Sequence, residues 1–303
     1  MKRIVYLFIA LTLLQFHANA KEKTKVFEFG DITSLEVGGF YNVYITEGTS
    51  NKVTVIYDNQ LEKSLEWVLT YSPSGKLFID KKQLTRRIMV NDPKCLDEIN
   101  VYLEMDDISS INLGGLVKAY FIGDFTCDSL FVNLTRKASV ERLKIVGNKV
   151  TISAEGNTVA SIEGSFQDSA ELNVKDASKV TLKGNTTELE VSNKSTATLE
   201  CIGIFERCKF ACLGSSNTKL SGEADMAEYE CSGYSSISAK ELLTKQVSLK
   251  LNESCKADIY ATDEIQYDIS RLSTLTYYGT AELVNIHKEI NIINGNSLLN
   301  REQ

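Results

Sequence analysis

Two stretches of the chain, VKDASKVTLKG at residues 174–184 and CLGSSNTKLSG at residues 212–222, match each other position by position. Segments of the same kind recur along the sequence, about 20 residues apart. With Asp176 as the reference position, we place the equivalent residues at Gly115, Arg136, Gly156, Asn193, Gly214, Gly233, Glu253 and Arg271. A fixed internal period of this length indicates a repeat architecture.

Residues at fixed distances from each reference position share a character. Four residues before it the side chains are large and apolar: Ile111, Val132, Ile152, Leu172, Leu189, Phe210, Tyr229, Leu249 and Tyr267. Two residues after it they are mostly small: Ala138, Thr158, Ser178, Ser195, Ser216, Ser235, Cys255 and Ser273. Eight residues after it glycine is common: Gly164, Gly184, Gly222 and Gly279. Apolar residues at alternate positions predict strands with one buried face, and the small and glycine positions predict two corners per repeat.

The repeat therefore predicts an all-β fold, a single-stranded parallel β-helix or β-solenoid with coils of about 20 residues. Helical repeats would show apolar residues at intervals of three and four, which these segments lack. A β-propeller needs roughly 40 residues per blade, and the consensus of leucine-rich repeats is absent. Nine stacked coils would form a rod on the order of 40 Å long.

One repeat departs from the alternation. Arg142 and Lys144 fall on inward positions, whereas the adjacent Leu143 and Ile145 are apolar. A one-residue β-bulge at this point would return the apolar residues to the core.

The chain divides into four segments. Residues 1–20 resemble a secretory signal peptide, because Lys2 and Arg3 precede an apolar run at 4–16 and a small-residue site, Ala18-Asn19-Ala20. This run is too short to span a bilayer, and no later segment is long and apolar enough to do so. We expect export to the periplasm, the cell surface or the medium. The other predicted segments are 21–110, an N-terminal β segment continuous with the solenoid, 111–285, the solenoid repeats, and 286–303, a C-terminal tail.

The N-terminal segment continues the β pattern with longer excursions. Residues 26–58 predict three strands separated by Gly38-Gly39 and by a polar turn at 47–52. Residues 61–80 predict a strand, a Ser-Pro-Ser-Gly turn and a second strand, and residues 99–105 predict a strand that leads into the repeats. The polar stretch 81–98 is expected to be a loop.

Composition excludes several classes of function. The formal net charge is −7, which argues against nucleic acid as a partner. Histidine occurs only at His17, within the predicted signal peptide, and at His287, beyond the last repeat. Most histidine-dependent catalysis is therefore disfavoured. The sequence predicts no catalytic residues, no cofactor and no metal site.

The chain has seven cysteines, at positions 95, 127, 201, 208, 212, 231 and 255. An odd number leaves at least one unpaired in an oxidising compartment. Cys212 and Cys231 occupy the same inward position of consecutive coils, where stacked strands would place their Cα atoms about 4.8 Å apart. A disulfide tolerates that separation, so Cys212–Cys231 is the candidate disulfide, although buried cysteine also packs as a small apolar residue.

These features together resemble a known family. The opening FGDITSLEVGGFYNVYITEGTSNKVTV (29–55), the later YSPSGKLFID (71–80), the small-Ser-x-apolar repeats and the closing ISRLSTLTYYG (269–279) are similar to the bacterial putative auto-transporter adhesin family, head GIN domain. The similarity covers roughly residues 26–285. It implies an exported β-helical protein and transfers no functional residues, and the corners here depart from the Gly-Ser-Gly type common in the family.

Acidic side chains that could act in catalysis or bind calcium are few and scattered along the sequence. Outward acids occur at Asp176, Glu190, Glu223 and Glu253, but they alternate with lysines, as on a solvated strand face. Asp106-Asp107 and Asp263-Glu264 lack the spacing of known calcium loops.

Aromatic residues are candidates for stacking on sugar rings, or else for core packing. They concentrate near the two ends of the chain: Phe40, Tyr41, Tyr44, Tyr57, Trp67, Tyr71, Tyr277 and Tyr278.

The sequence thus predicts an exported, non-catalytic module whose partner is a glycan or an envelope or host surface protein. Two alternatives stay open. A carbohydrate-active enzyme would place paired acids in a groove across three or more coils, and a purely structural envelope protein would need no binding site. The oligomeric state does not follow from the sequence.

Overall fold

The computed structural model describes residues 22–58, 69–79, 99–105, 107–270, 272–286 and 299–301. Within these ranges the chain forms strands, turns and irregular segments, and they contain no helix that could cross a membrane. The predicted signal peptide, His287, Trp67 and Cys95 lie outside the described residues.

The described residues form 22 strands in one continuous hydrogen-bonded sheet. The shorter strands of the N-terminal part are β1 (Glu22–Glu28), β2 (Ser34–Val37), β3 (Asn42–Glu47), β4 (Lys52–Asp58), β5 (Leu69–Tyr71), β6 (Lys76–Ile79), β7 (Asn100–Met105), β8 (Ser110–Leu113), β9 (Lys118–Ile122), β10 (Asp124–Thr126) and β11 (Ser129–Arg136). The longer strands are β12 (Ser139–Gly156), β13 (Val159–Val174), β14 (Lys179–Asn193), β15 (Thr198–Gly214), β16 (Asn217–Gly233) and β17 (Ser236–Leu251). The remaining strands are β18 (Lys256–Ala261), β19 (Glu264–Ile269), β20 (Thr274–Gly279), β21 (Glu282–Asn285) and β22 (Leu299–Arg301).

Each long strand consists of two straight halves joined by a bend, and the two halves pair separately with the next coil. In β13 and β14, residues 159–166 pair with 179–186, and residues 169–174 pair with 188–193, both in parallel. The same pattern continues from coil to coil, so the chain is a parallel β-solenoid of about nine coils of roughly 20 residues. This confirms the fold class that the repeat predicts.

The stacked halves give the solenoid two outer faces. Face 1 is formed by the strands that precede the reference corner: β2, β8, β11, the second halves of β12 to β17, β19 and β21. Face 2 is formed by the strands that follow it: β3, β9, the first halves of β12 to β17, β18 and β20.

The core lies between the two faces and matches the inward positions of the repeat. Leu172, Phe210, Tyr229 and Leu249 are almost completely buried. The small residues just after the corner are buried as well, and Thr158 Oγ1 donates a hydrogen bond to Ser178 Oγ at 2.9 Å on the next coil. The Thr158 hydroxyl is therefore satisfied by its equivalent one coil away, as a buried polar group requires.

In one coil the corner lies two residues from the expected position. Asn193 pairs with Val174 and Cys212, which precede their corners by two residues, so the corner residue is Ser195, with φ of 63°. Because two is the period of a strand, the alternation of buried and exposed residues is unchanged. Asn193 itself becomes an inward residue and is fully buried.

The predicted bulge is confirmed. The pairing of β12 with β13 shifts between Val140 and Leu143, and Arg142 adopts φ of 53°. Leu143 and Ile145 are consequently buried, while Arg142 points to solvent.

At the second corner, glycines of consecutive coils stack directly on one another. Gly164, Gly184, Gly203 and Gly222 occupy equivalent positions. A Cβ at Gly203 would overlap the carbonyl oxygen of Gly184, and one at Gly184 would overlap the carbonyl oxygen of Gly164. The predicted close approach of backbone is confirmed. Gly203 completes the series once the corner is moved to Ser195.

The N-terminal end departs from a purely parallel solenoid. β2 lies between β6 and β8, and β3 lies between β7 and β9, so the coil formed by β6 and β7 stacks outside the coil that precedes it in sequence. Beyond it the pairing becomes antiparallel: β5 adds to β6, β4 adds to β7 and β1 adds to β4. Residues 26–37, expected to be one strand, are divided between β1 and β2.

The glycine stack leads to a stability prediction. Gly203→Ala should lower the free energy of unfolding by at least about 2 kcal/mol, because the new methyl group meets backbone that cannot rotate away. Gly114→Ala is the matched control, since a Cβ there meets only the Thr135 hydroxyl at 3.1 Å, and it should cost under about 1 kcal/mol. Urea and thermal unfolding followed by circular dichroism measure both. Equal midpoints for the two variants would contradict the steric argument.

Candidate functional site

A groove with a volume of about 870 Å³ lies on face 1 at the N-terminal coils. Its floor is formed by outward side chains of β6, β2, β8 and β11, and one wall is formed by the corners that follow β2, β8 and β11. We call it the N-terminal groove. Its lining includes Glu36, Phe40, Phe78, Asn112, Leu116, Asn133, Arg136 and Lys137.

The floor is a row of side chains in register across four strands. Glu36 is the direct neighbour of Phe78 on one side and of Asn112 on the other, and Asn112 is followed by Asn133. Lys76 Nζ lies 2.5 Å from Glu36 Oε2, so the carboxylate of the floor is neutralised by an ion pair. The row therefore offers an aromatic ring, a compensated carboxylate and two carboxamides within four adjacent strands.

The wall combines apolar and cationic side chains at the corners. Phe40 and Leu116 each follow a corner glycine, and Leu116 is 44% exposed. Gly115 has φ of 84°, and a Cβ there would come within 2.9 Å of the Gly39 backbone nitrogen, so glycine is required where these two corners stack. On the next coil the corner residue is Arg136, followed by Lys137, and both side chains are exposed.

This arrangement provides several kinds of contact to a bound molecule. Aromatic and apolar side chains provide contact area, carboxamides provide paired donors and acceptors, and the two cations attract negative charge. Asn112 and Asn133 both lie three residues before a corner, so their shared position in the repeat can be recognised in the sequence. Their proximity to Phe78 was not, because it depends on the order in which the coils stack.

Three tyrosines form a second feature, on face 2. The ring of Tyr44 stacks between those of Tyr102 and Tyr120, with ring centroids 4.8 and 5.0 Å apart and nearly parallel planes. We call this the tyrosine ladder. Burial is the largest cause that raises the pKa values of Tyr44 and Tyr102 above that of a free phenol. Because each face of Tyr44 is covered by another ring, the ladder stabilises the stacked coils and does not present Tyr44 for stacking on a sugar.

A second groove on face 1, of about 470 Å³, is lined by four glutamates, Glu188, Glu190, Glu228 and Glu264. Glu188 accepts a hydrogen bond from Arg207 at 2.6 Å, and Lys209 lies 3.7 Å from Glu228 on the next coil. Glu188 and Glu190 thus each have a cation as the direct neighbour on the next coil. At these positions, carboxylates beside cations count against a pair of free catalytic acids.

The four outward acids singled out from the sequence do not come together. Asp176 and Glu253 lie at corners four coils apart, both with positive φ, and Asp176 Oδ2 accepts a hydrogen bond from the Gly156 amide at 3.1 Å. Glu190 lies in the second groove, and Glu223 follows the glycine at the opposite corner.

Of the two acidic pairs that lack the spacing of calcium loops, Asp107, Asp263 and Glu264 lie among the described residues. Asp106 lies outside the described residues, and Asp263 accepts a hydrogen bond from the Thr262 hydroxyl at 2.7 Å. Over the described ranges, His, Cys, Asp and Glu do not cluster in threes in any way that could hold a metal ion.

Cys212 and Cys231 are direct neighbours on β15 and β16, and both are fully buried thiols in this structure. Stacked strands place their Cα atoms about 4.8 Å apart, as the candidate disulfide requires. The pairing itself stays a prediction.

A family model for the putative auto-transporter adhesin, head GIN domain, matches residues 31–200 and 165–281, well over half of the chain. The chain belongs to this family. The resemblance seen in the sequence is thereby confirmed. No curated protein matches the sequence.

Several solved structures are similar to this GIN-domain chain. One is described as a putative adhesin from Parabacteroides merdae, with 16% identity, coverage of 88% of this chain and 92% of that chain, and a TM-score of 0.48. Another is described as a putative lipid binding protein from Parabacteroides distasonis, with 15% identity, coverage of 88% and 93%, and a TM-score of 0.45. A third is a putative adhesin from Bacteroides fragilis, with 14% identity, coverage of 88% and 92%, and a TM-score of 0.33.

The aromatic residues of this GIN-domain chain divide between core and surface. Tyr41, Tyr57 and Tyr277 are buried, as core packing predicts. Tyr71 stacks on Phe29 with centroids 5.2 Å apart and donates a hydrogen bond to the Asp31 carbonyl at 3.1 Å. Of the aromatics noted from the sequence that the structure describes, Phe40 alone lines the N-terminal groove, where it is joined by Phe78.

The tyrosine ladder predicts a measurable contribution to stability. Tyr44→Ala removes two ring contacts at once and should lower the free energy of unfolding by about 1–3 kcal/mol. Tyr234→Ala is the control, because Tyr234 is 77% exposed at a corner, and it should change stability by less than about 0.5 kcal/mol. Urea unfolding followed by circular dichroism measures the difference. A Tyr44→Ala variant as stable as the control would rule out a stabilising ladder.

Proposed function

We propose that this GIN-domain protein is an exported, non-catalytic adhesion module that binds a glycan through the N-terminal groove. The observation that carries the proposal is the groove itself, in which Phe40 and Phe78 lie beside the carboxamides of Asn112 and Asn133. Membership of the adhesin family supports a binding role, and the signal-peptide pattern at residues 1–20 supports export.

The charges around the groove favour an acidic sugar. Arg136 and Lys137 lie at its rim, and the carboxylate of Glu36 on the floor forms an ion pair with Lys76. Guanidinium and ammonium groups bind carboxylate and sulfate well. A glycan bearing such groups therefore fits better than a neutral one, even though the chain as a whole is acidic.

The same groove argues against the two alternatives. A purely structural stalk needs uniform coils, whereas these coils carry a concave patch of mixed apolar and cationic residues. A β-helical hydrolase or lyase would need free acids or bases facing the bound sugar. In the second groove, Glu188 is paired with Arg207 and Glu228 with Lys209 instead.

Binding to acidic polysaccharide should depend on the groove. We expect the chain lacking residues 1–20 to bind heparin or polygalacturonate, to bind dextran more weakly, and to lose affinity as salt rises. Phe40→Ala and Lys137→Gln should each weaken binding at least about five-fold, since roughly 1 kcal/mol corresponds to that factor. Biolayer interferometry or calorimetry measures these affinities.

Matched controls exist at equivalent corners of distant coils. Tyr234 follows Gly233 as Phe40 follows Gly39, and Lys175 is an exposed corner lysine outside the groove, so Tyr234→Ala and Lys175→Gln should bind as the unmodified chain does. Loss of binding in these controls would place the site elsewhere. Release of new reducing ends or unsaturated products from the polysaccharide would overturn the non-catalytic assignment.

Location is tested separately. An adhesin must be digested by protease added to intact cells, as detected with an antibody to the mature chain. If the protein is protected until the envelope is opened osmotically, the adhesin function is excluded and a periplasmic partner takes its place.

A further inference from the structure

Three cysteines of consecutive coils meet in the interior near the corner. Cys212 and Cys231 are register neighbours, and Cys255 follows the corner residue Glu253 on the next coil. All three are fully buried. Cys255 Sγ lies 3.7 Å from the Gly233 carbonyl oxygen, two residues after Cys231, and 3.4 Å from Ser235 Oγ, which donates a hydrogen bond to the Cys212 carbonyl at 3.0 Å. The three cysteines therefore surround the same corner.

A hydroxyl flanks each outer member of this cysteine triad. Thr218 Oγ1 lies 3.2 Å from Cys212 Sγ, and Ser235 Oγ lies 3.4 Å from Cys255 Sγ. Each outer sulfur thus has a hydroxyl oxygen within hydrogen-bond distance. Cys212 and Cys255 are therefore alike in having one hydroxyl beside the sulfur.

The electrostatics of the triad differ from those of the other described cysteines. The hydrogen bond from Cys231 is the largest cause that lowers the pKa of Cys255, to about 6, and of Cys212 below its usual value. The same two contacts raise the pKa of Cys231. By contrast, burial raises the pKa of Cys208 to about 12 and that of Cys127 to about 11. A thiol has one proton to donate, so Cys231 supports a thiolate at one neighbour at a time.

We propose that Cys231 is the shared member of a single disulfide, which it forms with either Cys212 or Cys255. The inference extends the Cys212–Cys231 candidate. The repeat position did not point to Cys255, because Cys255 lies after the corner whereas Cys212 and Cys231 lie before it. Three thiols hold one bond, so the triad always retains one thiol beside the disulfide.

The chemistry balances with a disulfide as the oxidant. Glutathione disulfide accepts two electrons and two protons and becomes two glutathione thiols, while two thiols of the triad become one S–S bond. Exchange then needs no further oxidant. The Cys255 thiolate attacks Cys231 Sγ, the 231–255 bond forms, the 212–231 bond breaks and Cys212 leaves as the thiolate. Because the triad is buried, the first oxidation takes place before the coils close over it.

The test uses the purified chain without residues 1–20, refolded from urea in a glutathione redox buffer, so it does not depend on the proposed export or on glycan binding. Acid quenching, alkylation of free thiols and proteolysis followed by mass spectrometry identify the linked peptides. We expect a 212–231 or 231–255 link in the unmodified chain. Cys212→Ala should give the 231–255 link alone, and Cys255→Ala should give the 212–231 link alone.

Further variants separate the proposal from a fixed disulfide. Cys231→Ala should leave Cys212 and Cys255 alkylated, and Cys208→Ala should behave as the unmodified chain. Loss of every link in Cys212→Ala or in Cys255→Ala would overturn the sharing of Cys231, and so would a 212–255 link or fully alkylated Cys231 in the unmodified chain. Should Cys231→Ala fail to refold, the two outer variants, which keep Cys231, decide the question.

Discussion

Parallel hydrogen bonding between successive coils is the constraint on which the rest of this structure depends. It holds equivalent residues of neighbouring coils about 4.8 Å apart, so each side chain meets the one that occupies its own position in the next repeat. A residue is therefore selected for its fit to a column rather than to a single neighbour. Glycine stacks on glycine at one corner, small hydroxyl residues stack at the other, and the tyrosine ladder and the Cys212–Cys231 pair arise in the same way.

The residues of the neighbouring coils also determine how a polar residue is accommodated in the core. Asn193 occupies a position that is valine in the preceding coil and cysteine in the next. Its amide nitrogen donates hydrogen bonds to Thr218 Oγ1 at 2.9 Å and to the Asn217 carbonyl at 3.0 Å, whereas its amide oxygen has no partner among the described residues. The donor side of the carboxamide offsets part of the cost of burial.

Stacking explains both what the sequence predicts and where prediction fails. The fold class and the bulge at Arg142 follow from alternation alone, because one face of each strand must be apolar. The corner at Ser195 was missed because a shift of two residues preserves that alternation. The glycine eight residues later identifies it, since Gly203 is in step with Ser195 and not with Asn193. The need for glycine depends on side-chain size, which does not alternate along a strand as polarity does, so a glycine position reveals a shift of two residues.

The N-terminal groove could not be foreseen for a different reason. Its floor brings Phe78 beside Glu36 because the coil of β6 and β7 stacks outside the coil of β2 and β3, against the order of the chain. Where coils follow one another in sequence, columns repeat and face 1 carries alternating charges that pair from coil to coil. Where the order is broken, residues from unlike positions become neighbours, and an aromatic ring can lie beside carboxamides and cations. Specific recognition requires a surface on which neighbouring side chains differ in chemistry. Elsewhere in the solenoid, the stacking of equivalent positions places similar side chains side by side.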